Sequence, residues 1–287
     1  MLLWRFMKVV NCMWFLPLLL MFVYILCAMG CIFFTKKGFS KNDACPIKIV
    51  AHRASCGSPE NSLSAIEASV RMGVDMIELD VRITGDGELV VCHDENIRRT
   101  TNGSGNIADM SLEEIKRYRM RGDDDFLLEE SVPTLGEVFG LVAGRTPLLL
   151  DVKRTADAER MAKALINEIA LYGAFSWVTV QSSDDDFLWH MYRLGNPCRL
   201  EKLIYFKFPG LPLIYDGCIT LFNLNKYDYI SSFNVDAKFL TSSFVDILHS
   251  QGKEVKMWTV GAPNETPSVK VDGVITDVPE AWLQLKR

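Results

Sequence analysis

From Ile47 onward the chain alternates between two apolar periods. Short apolar or alternating runs begin at about Ile47, Met76, Leu148, Trp177, Glu201, Asp228, Val255 and Gly273, and such runs read as buried or half-buried strands. Between most of them, apolar residues recur three and four positions apart, the spacing of an amphipathic helix. This predicts helices from Leu63 to near Gly73, from about Asp157 to Tyr172, from Asp184 to Leu194 and from Ser242 to Ser250, with a short one closing the chain. Ser62 reads as a helix cap, and Ser111 with Glu114 and Thr134 with Glu137 have the spacing of capping boxes.

One stretch departs from this rhythm. Residues 76–95, MIELDVRITGDGELVVCHDE, hold six carboxylates and a histidine. Alternation puts Glu78 and Asp80 on one strand face and Ile77, Leu79 and Val81 on the other. Two acids on a buried face need a cation. Asp86-Gly87 supplies a tight turn, and a return strand from Leu89 to Asp94 brings His93 beside the acids. Asp75, Asp86, Glu88 and Glu95 read as edge or turn residues. The competing reading is a solvated surface hairpin, and the apolar flanks argue against it.

With the hairpin counted as one unit, eight strand units over about 240 residues predict an α/β fold, a (β/α)8 TIM barrel. An open doubly wound sheet is the alternative, but no Gly-rich phosphate loop follows the first strand. In a barrel His52, Glu78, Asp80, Asp151, Lys153, Trp258 and Asp277 all fall at or near strand C-terminal ends, the rim on which barrel sites are built. Asp151 and Lys153 share one strand face, so an internal ion pair is the competing reading for them.

The N-terminus changes the picture. Residues 9–34 carry no charge over 26 positions, more than the ~20 residues that span a bilayer and more than the about 7–15 of a signal core. The expected organisation is a membrane anchor at 1–34, favoured over a long signal peptide, a polar linker at 35–46 and a catalytic domain at 47–287. Lys36, Lys37 and Lys41 after the span slightly outnumber Arg5 and Lys8 before it, a weak lean towards a cytoplasmic body. The apolar stretch 207–227 is expected to cover the core, touch the bilayer or form a lipid pocket.

Composition adds exclusions. A net charge of -5 without basic clusters in the body offers no surface for nucleic acid. The scattered cysteines Cys45, Cys56, Cys92, Cys198 and Cys218 lack metal spacing and read as core thiols or at most one or two disulfides.

Two histidines, three carboxylates and a lysine on one rim suit metal-assisted phosphoryl transfer. Glu78, Asp80 and Asp151 offer oxygen ligands for Mg²⁺, with Ca²⁺ the alternative, whereas zinc prefers more His or Cys. His52 and His93 then divide the proton transfers.

These residues resemble a known family. His52-Arg53, Pro59-Glu60-Asn61, Glu78-x-Asp80, His93-Asp94, Arg99-Thr100-Thr101-Asn102-Gly103, Pro133-Thr134-Leu135, Trp258-Thr259-Val260 and Asp272-Gly273-Val274-Ile275-Thr276-Asp277 occur in the order of the glycerophosphodiester phosphodiesterase family, from Ile47 to Pro279. The resemblance implies a TIM barrel that hydrolyses a glycerophosphodiester to an alcohol and sn-glycerol 3-phosphate. It implies His52 and His93 as acid and base, Glu78, Asp80 and Asp151 on the metal, and Arg53, Lys153 and Trp258 on substrate or phosphate, with Glu60, Asn61 and Asp94 in support. Asp151 stands where most members have glutamate. Together with the N-terminal span it resembles the membrane-anchored glycerophosphoinositol phosphodiesterase branch, which implies glycerophosphoinositol, glycerophosphoethanolamine or N-acyl substrates and a lumenal or extracellular catalytic domain. Related sphingomyelinase D enzymes also carry aspartate there, so lysophospholipase D or sphingomyelinase D-like activity on lysolipids is the second reading. A catalytically idle membrane-anchored interaction protein is the third.

Overall fold

The computed structural model describes residues 47–55, 59–122, 125–204, 224–266 and 268–286. The apolar run 9–34, the linker and most of the stretch 207–227 lie outside the described residues. Among those described, no helix is long and apolar enough to cross a membrane.

Nine strands form one sheet: β1 (Lys48–Ala51), β2 (Met76–Ile83), β3 (Leu89–Val91), β4 (Leu148–Val152), β5 (Val178–Ser182), β6 (Arg199–Ile204), β7 (Ser232–Asp236), β8 (Glu254–Val260) and β9 (Gly273–Thr276). All neighbours pair in parallel except β2 with β3, and β1 bonds to both β2 and β9. The sheet therefore closes on itself, and with β3 set aside the eight remaining strands are the expected barrel. The seventh strand begins at Ser232 rather than at Asp228, because Leu224–Tyr227 winds as a 3-10 turn ahead of it. The return strand of the hairpin ends at Val91, so His93 sits on the loop beyond it.

Helices α1 (Leu63–Met72), α2 (Leu112–Lys116), α3 (Leu135–Val142), α4 (Ala158–Leu171), α5 (Asp185–Arg193), α6 (Ser242–Ser250) and α7 (Pro279–Lys286) complete the described fold. Ser62 caps α1 by accepting from the Ala65 amide, and Gly73 stops it at φ 77°, a conformation that costs glycine little. Reciprocal capping boxes start α2 at Ser111 and α3 at Thr134.

Strand alternation sorts the side chains into two cores. Outward residues such as Ile77, Leu79, Val81, Leu148 and Leu150 pack with the helices in the main apolar cluster. Inside the barrel, Val50, Leu149 and Ile275 form a small apolar plug with Met76 and Trp258 against it. Beside the plug lies a polar layer, in which Lys256 pairs with Glu201 at 2.6 Å and Asn234 donates to Glu201 at 2.8 Å. The excursion between β3 and α3 buries its own cluster of Val90, Cys92, Ile97, Ile107, Ile115 and Val132, which fixes the loop that carries His93. Cys92 and Cys198 are free buried thiols.

Candidate active site

Register builds the acidic centre. β2 and β4 pair so that Asp80 lies opposite Asp151, with Glu78 one inward step below. One oxygen from each of the three buried acids lies within 4.8 Å of the others. Burial and the neighbouring Asp80 and Asp151 charges push the Glu78 carboxyl up to about 8, against the pull of His52 and Lys153. Asp80, only 1% exposed, shows the reverse. Burial opposes its charge, but Lys153 and Arg53 outweigh it and hold the carboxyl below the usual range.

The strand ends supply the cations. Lys153 Nζ lies 2.6 Å from Asp80 Oδ1 and also contacts Asp151, so an ion-pair role for Lys153 is present within the site. Arg53 enters from a strained turn, with its own φ at 53° and that of Ala54 at 54°. In return its amide donates to Glu78 at 2.8 Å, and its guanidinium reaches Glu60 at 3.1 Å and Asp80 at 3.4 Å. Asn61, buried at φ 60°, clamps Asp80: its side-chain amide donates to Oδ2 at 2.8 Å and its carbonyl accepts from the Asp80 amide at 3.2 Å.

Each histidine is held by one acid. His52 Nδ1 lies 2.6 Å from Asp277, and His93 Nδ1 lies 2.7 Å from Asp94. Burial lowers both, but the Asp277 hydrogen bond and the Glu78 charge overcome it at His52, whose pKa is raised. At His93 burial prevails over the help from Asp80 and Asp94, with Lys153 and Arg53 adding to it, and the pKa is lowered. The two imidazoles are thus pushed to opposite sides of their ordinary value, the separation that acid–base pairs require.

A cavity of about 300 Å³ joins these groups. His52, Arg53, Glu78, His93, Asp151, Lys153 and Trp258 all line it. Asp80 and Asn61 are buried behind them. Glu60 and Asp94 stand outside and act through Arg53, Arg99 and His93. The Trp258 indole is fixed by donating to the Asn234 carbonyl at 3.0 Å.

Sequence reasoning passed over four kinds of residue here. Arg99 ties Glu60 and Asp94 together, each at 2.6 Å. Asp277 was placed on the rim without its partner. Gln181 and Leu203 line the cavity because β5 and β6 point them inward, and Ser183 lines it directly after β5, positions that period-two counting from Thr179 and Arg199 gives once the strand starts are known. Arg82 and Arg154 line it too, Arg82 one residue before the end of β2 and Arg154 two residues beyond the end of β4.

The residues fit a divalent cation. Asp80 Oδ1 receives no aligned hydrogen bond despite being buried and close to Lys153, and three carboxylates in so small a space are stable together as anions only with a positive centre between them. Hard oxygen ligands of this kind suit Mg²⁺ or Ca²⁺ better than softer metals.

A closed parallel barrel with acids, imidazoles and cationic side chains on its C-terminal rim is an architecture suited to phosphoryl-transfer hydrolysis. Comparison narrows this. The sequence profile of the glycerophosphoryl diester phosphodiesterase family matches residues 52–202, and the chain belongs to that family. A glycerophosphodiester phosphodiesterase of Caldanaerobacter subterraneus subsp. tengcongensis is 30% identical over 247 residues, 83% of this chain and 97% of its own. One from Bacillus altitudinis is 28% identical over 262 residues, 83% of this chain and 98% of its own. Among solved structures, a phosphodiesterase of Oleispira antarctica in complex with the product sn-glycerol-3-phosphate has a TM-score of 0.68 at 21% identity, covering 86% of this chain and 99% of that one. At that identity the likeness establishes the fold.

Proposed function

We propose that this enzyme hydrolyses glycerophosphodiesters, glycerophosphoinositol and glycerophosphoethanolamine with its N-acyl forms among them, to sn-glycerol 3-phosphate and the free alcohol. The observation that carries the reading is the convergence of Glu78, Asp80 and Asp151 within 4.8 Å on a cavity that also holds His52, His93, Arg53 and Lys153. The product named in the Oleispira structure is the one this chemistry yields.

Glu78, Asp80 and Asp151 would hold Mg²⁺, with Ca²⁺ the alternative. When bound, the ion supplies Lewis acidity to a phosphate oxygen. Lys153 and Arg53 bind the remaining phosphate oxygens, Arg53 by a planar fork suited to them. One imidazole of His52 and His93 takes a proton from the attacking nucleophile and the other gives one to the departing alcohol. Asp277 and Asp94 hold each ring at Nδ1 and leave Nε2 for that exchange. Trp258 forms a wall of the cavity and orients the substrate.

Residues 9–34 anchor the enzyme to a membrane in this reading, with the catalytic domain on the lumenal or extracellular side. The charge-free length of the run supports it. Alkaline extraction of membranes, followed by protease protection of the body, tests both statements. For the activity, purified protein is assayed for glycerol 3-phosphate release from a panel of diesters with and without chelator. Full activity of His52→Ala, or release of no glycerol 3-phosphate from any diester with Mg²⁺ present, would overturn it.

A further inference from the structure

The catalytic cavity does not end at the strand tips. A second cleft of about 270 Å³ is lined by Arg82, Glu95, Lys153 and Arg154, four residues that also line the first, so the two adjoin. It runs between the excursion after β3, through Asn106 and Asp109, and the loop after β4. The linings differ in character. The lining of the catalytic cavity also includes the uncharged Gln181, Ser183, Leu203 and Trp258, while the part shared with the cleft is charged.

Those charges are largely unspent. Almost every other ionic group around the site has a partner within 4 Å, yet among the described residues neither Arg82 nor Glu95 has an ion-pair partner. Arg82 is half-buried and anchored only through Nε, which donates to the His93 backbone carbonyl at 2.9 Å. Arg154 is largely exposed and touches Asp184 loosely at 3.6 Å. Two guanidiniums, the Lys153 ammonium and the carboxylates of Glu95 and Asp109 thus face one small cleft, and among the described residues no ion pair joins either guanidinium to either of those carboxylates. A neutral glycerol gains nothing from this arrangement and belongs beside the uncharged residues.

We propose that the cleft is the leaving-alcohol subsite and that it selects a zwitterionic amino-acid headgroup, the chemistry of glycerophosphoserine. Arg82 and Arg154 receive the carboxylate, which matches the guanidinium fork, and Glu95 receives the ammonium. Asn106 and Asp109 line the same cleft beside Ile83 and Ile107. The assignment rests on the phosphodiesterase reading and deepens it.

The test compares kcat/KM for glycerophosphoserine, glycerophosphoethanolamine, which lacks only the carboxylate, and glycerophosphomethanol, which lacks both charges. Wild type is expected to prefer the serine diester over the ethanolamine diester by about tenfold or more, the worth of a charge-assisted hydrogen bond. Arg154→Ala is expected to collapse that ratio towards one, and Arg82→Lys to reduce it. Glu95→Gln is expected to reduce the preference of both amines over the methyl ester. Arg154 and Glu95 are exposed, so their variants fold. Wild-type ratios at or below one, or equal proportional losses on all three substrates in the variants, overturn the subsite while leaving the phosphodiesterase reading intact. Absence of glycerol 3-phosphate from every substrate overturns both.

Discussion

His52 and Asp277 lie 225 positions apart in the chain, yet barrel closure between β1 and β9 sets Nδ1 of one 2.6 Å from Oδ1 of the other. The carboxylate stabilises the imidazolium, so its removal lowers the His52 pKa. In Asp277→Asn the limb of the kcat/KM profile that reports His52 is expected to move to lower pH, the other limb staying in place. An unmoved profile would show that Asp277 only packs against the ring.

Glu78 gives a stability signature. Its folded pKa of about 8 lies above the ordinary carboxylate value, so the native state binds a proton that the unfolded chain releases. The contribution is fully present below the unfolded value and is lost as pH rises towards about 8. Asp80 shifts the opposite way and is ionised in both states across this window, so it adds no slope there. Metal-free protein should therefore lose Tm between about pH 5 and pH 8, and Glu78→Gln should flatten that loss. Added Mg²⁺ should raise Tm more at pH 8 than at pH 6, since it competes with the proton. A Mg²⁺ effect independent of pH would count against Glu78 as a ligand.

Below the site, Lys256 and Glu201 form an ion pair in which both side chains are at most 2% exposed. Gly273 makes room for the lysine stem: a Cβ there would lie 3.1 Å from Lys256 Cγ and 3.2 Å from the Lys48 carbonyl. Lys256→Met leaves the Glu201 charge buried with only Asn234 to bond it, and should cost about 3–5 kcal/mol. Adding Glu201→Gln should restore much of that, because the uncompensated charge is gone. Urea unfolding of the two variants decides it, and equal stabilities would mean that the pair was never an ion pair.

The barrel was legible because its evidence is periodic. Strand starts at Met76, Leu148 and Gly273 and the helix Ser242–Ser250 were readable to the residue, since each follows from side-chain spacing and a local cap. The acids and histidines were legible as types out of place, carboxylates inside apolar strands. Less visible were features that depend on pairing over distance. Nothing local to Asp277 names His52, and Arg99 reads as a loop arginine until the excursion folds it back on Glu60. Asp228 was misplaced for a related reason: the apolar run through Tyr229 and Ile230 resembles a strand, but Ile230 donates back to the Tyr227 carbonyl at 2.9 Å and turns before the sheet begins.

Arg99 offers the sharpest test of that distant pairing. Its Nε contacts Asp94 at 2.6 Å, and its two terminal nitrogens reach the two Glu60 oxygens at 3.0 Å and 2.6 Å, while Glu60 in turn holds Arg53. The Arg99 hydrogen bond is the main reason that the Asp94 carboxyl is lowered to about 2, with burial opposing and His93 assisting. Arg99 is 48% exposed, so its loss should cost at most about 1 kcal/mol of stability. Activity should suffer far more, because Asp94 and Glu60 would both lose the fork that aims them at His93 and Arg53. Arg99→Ala is expected to lower kcat/KM by about tenfold or more, a loss of roughly 1.4 kcal/mol of transition-state stabilisation, while Tm changes by only a few degrees. Arg99→Lys should recover little, since a single ammonium cannot bridge two carboxylates in a fixed plane. Full recovery by lysine would reduce Arg99 to a diffuse positive charge and remove the positioning role assigned to it.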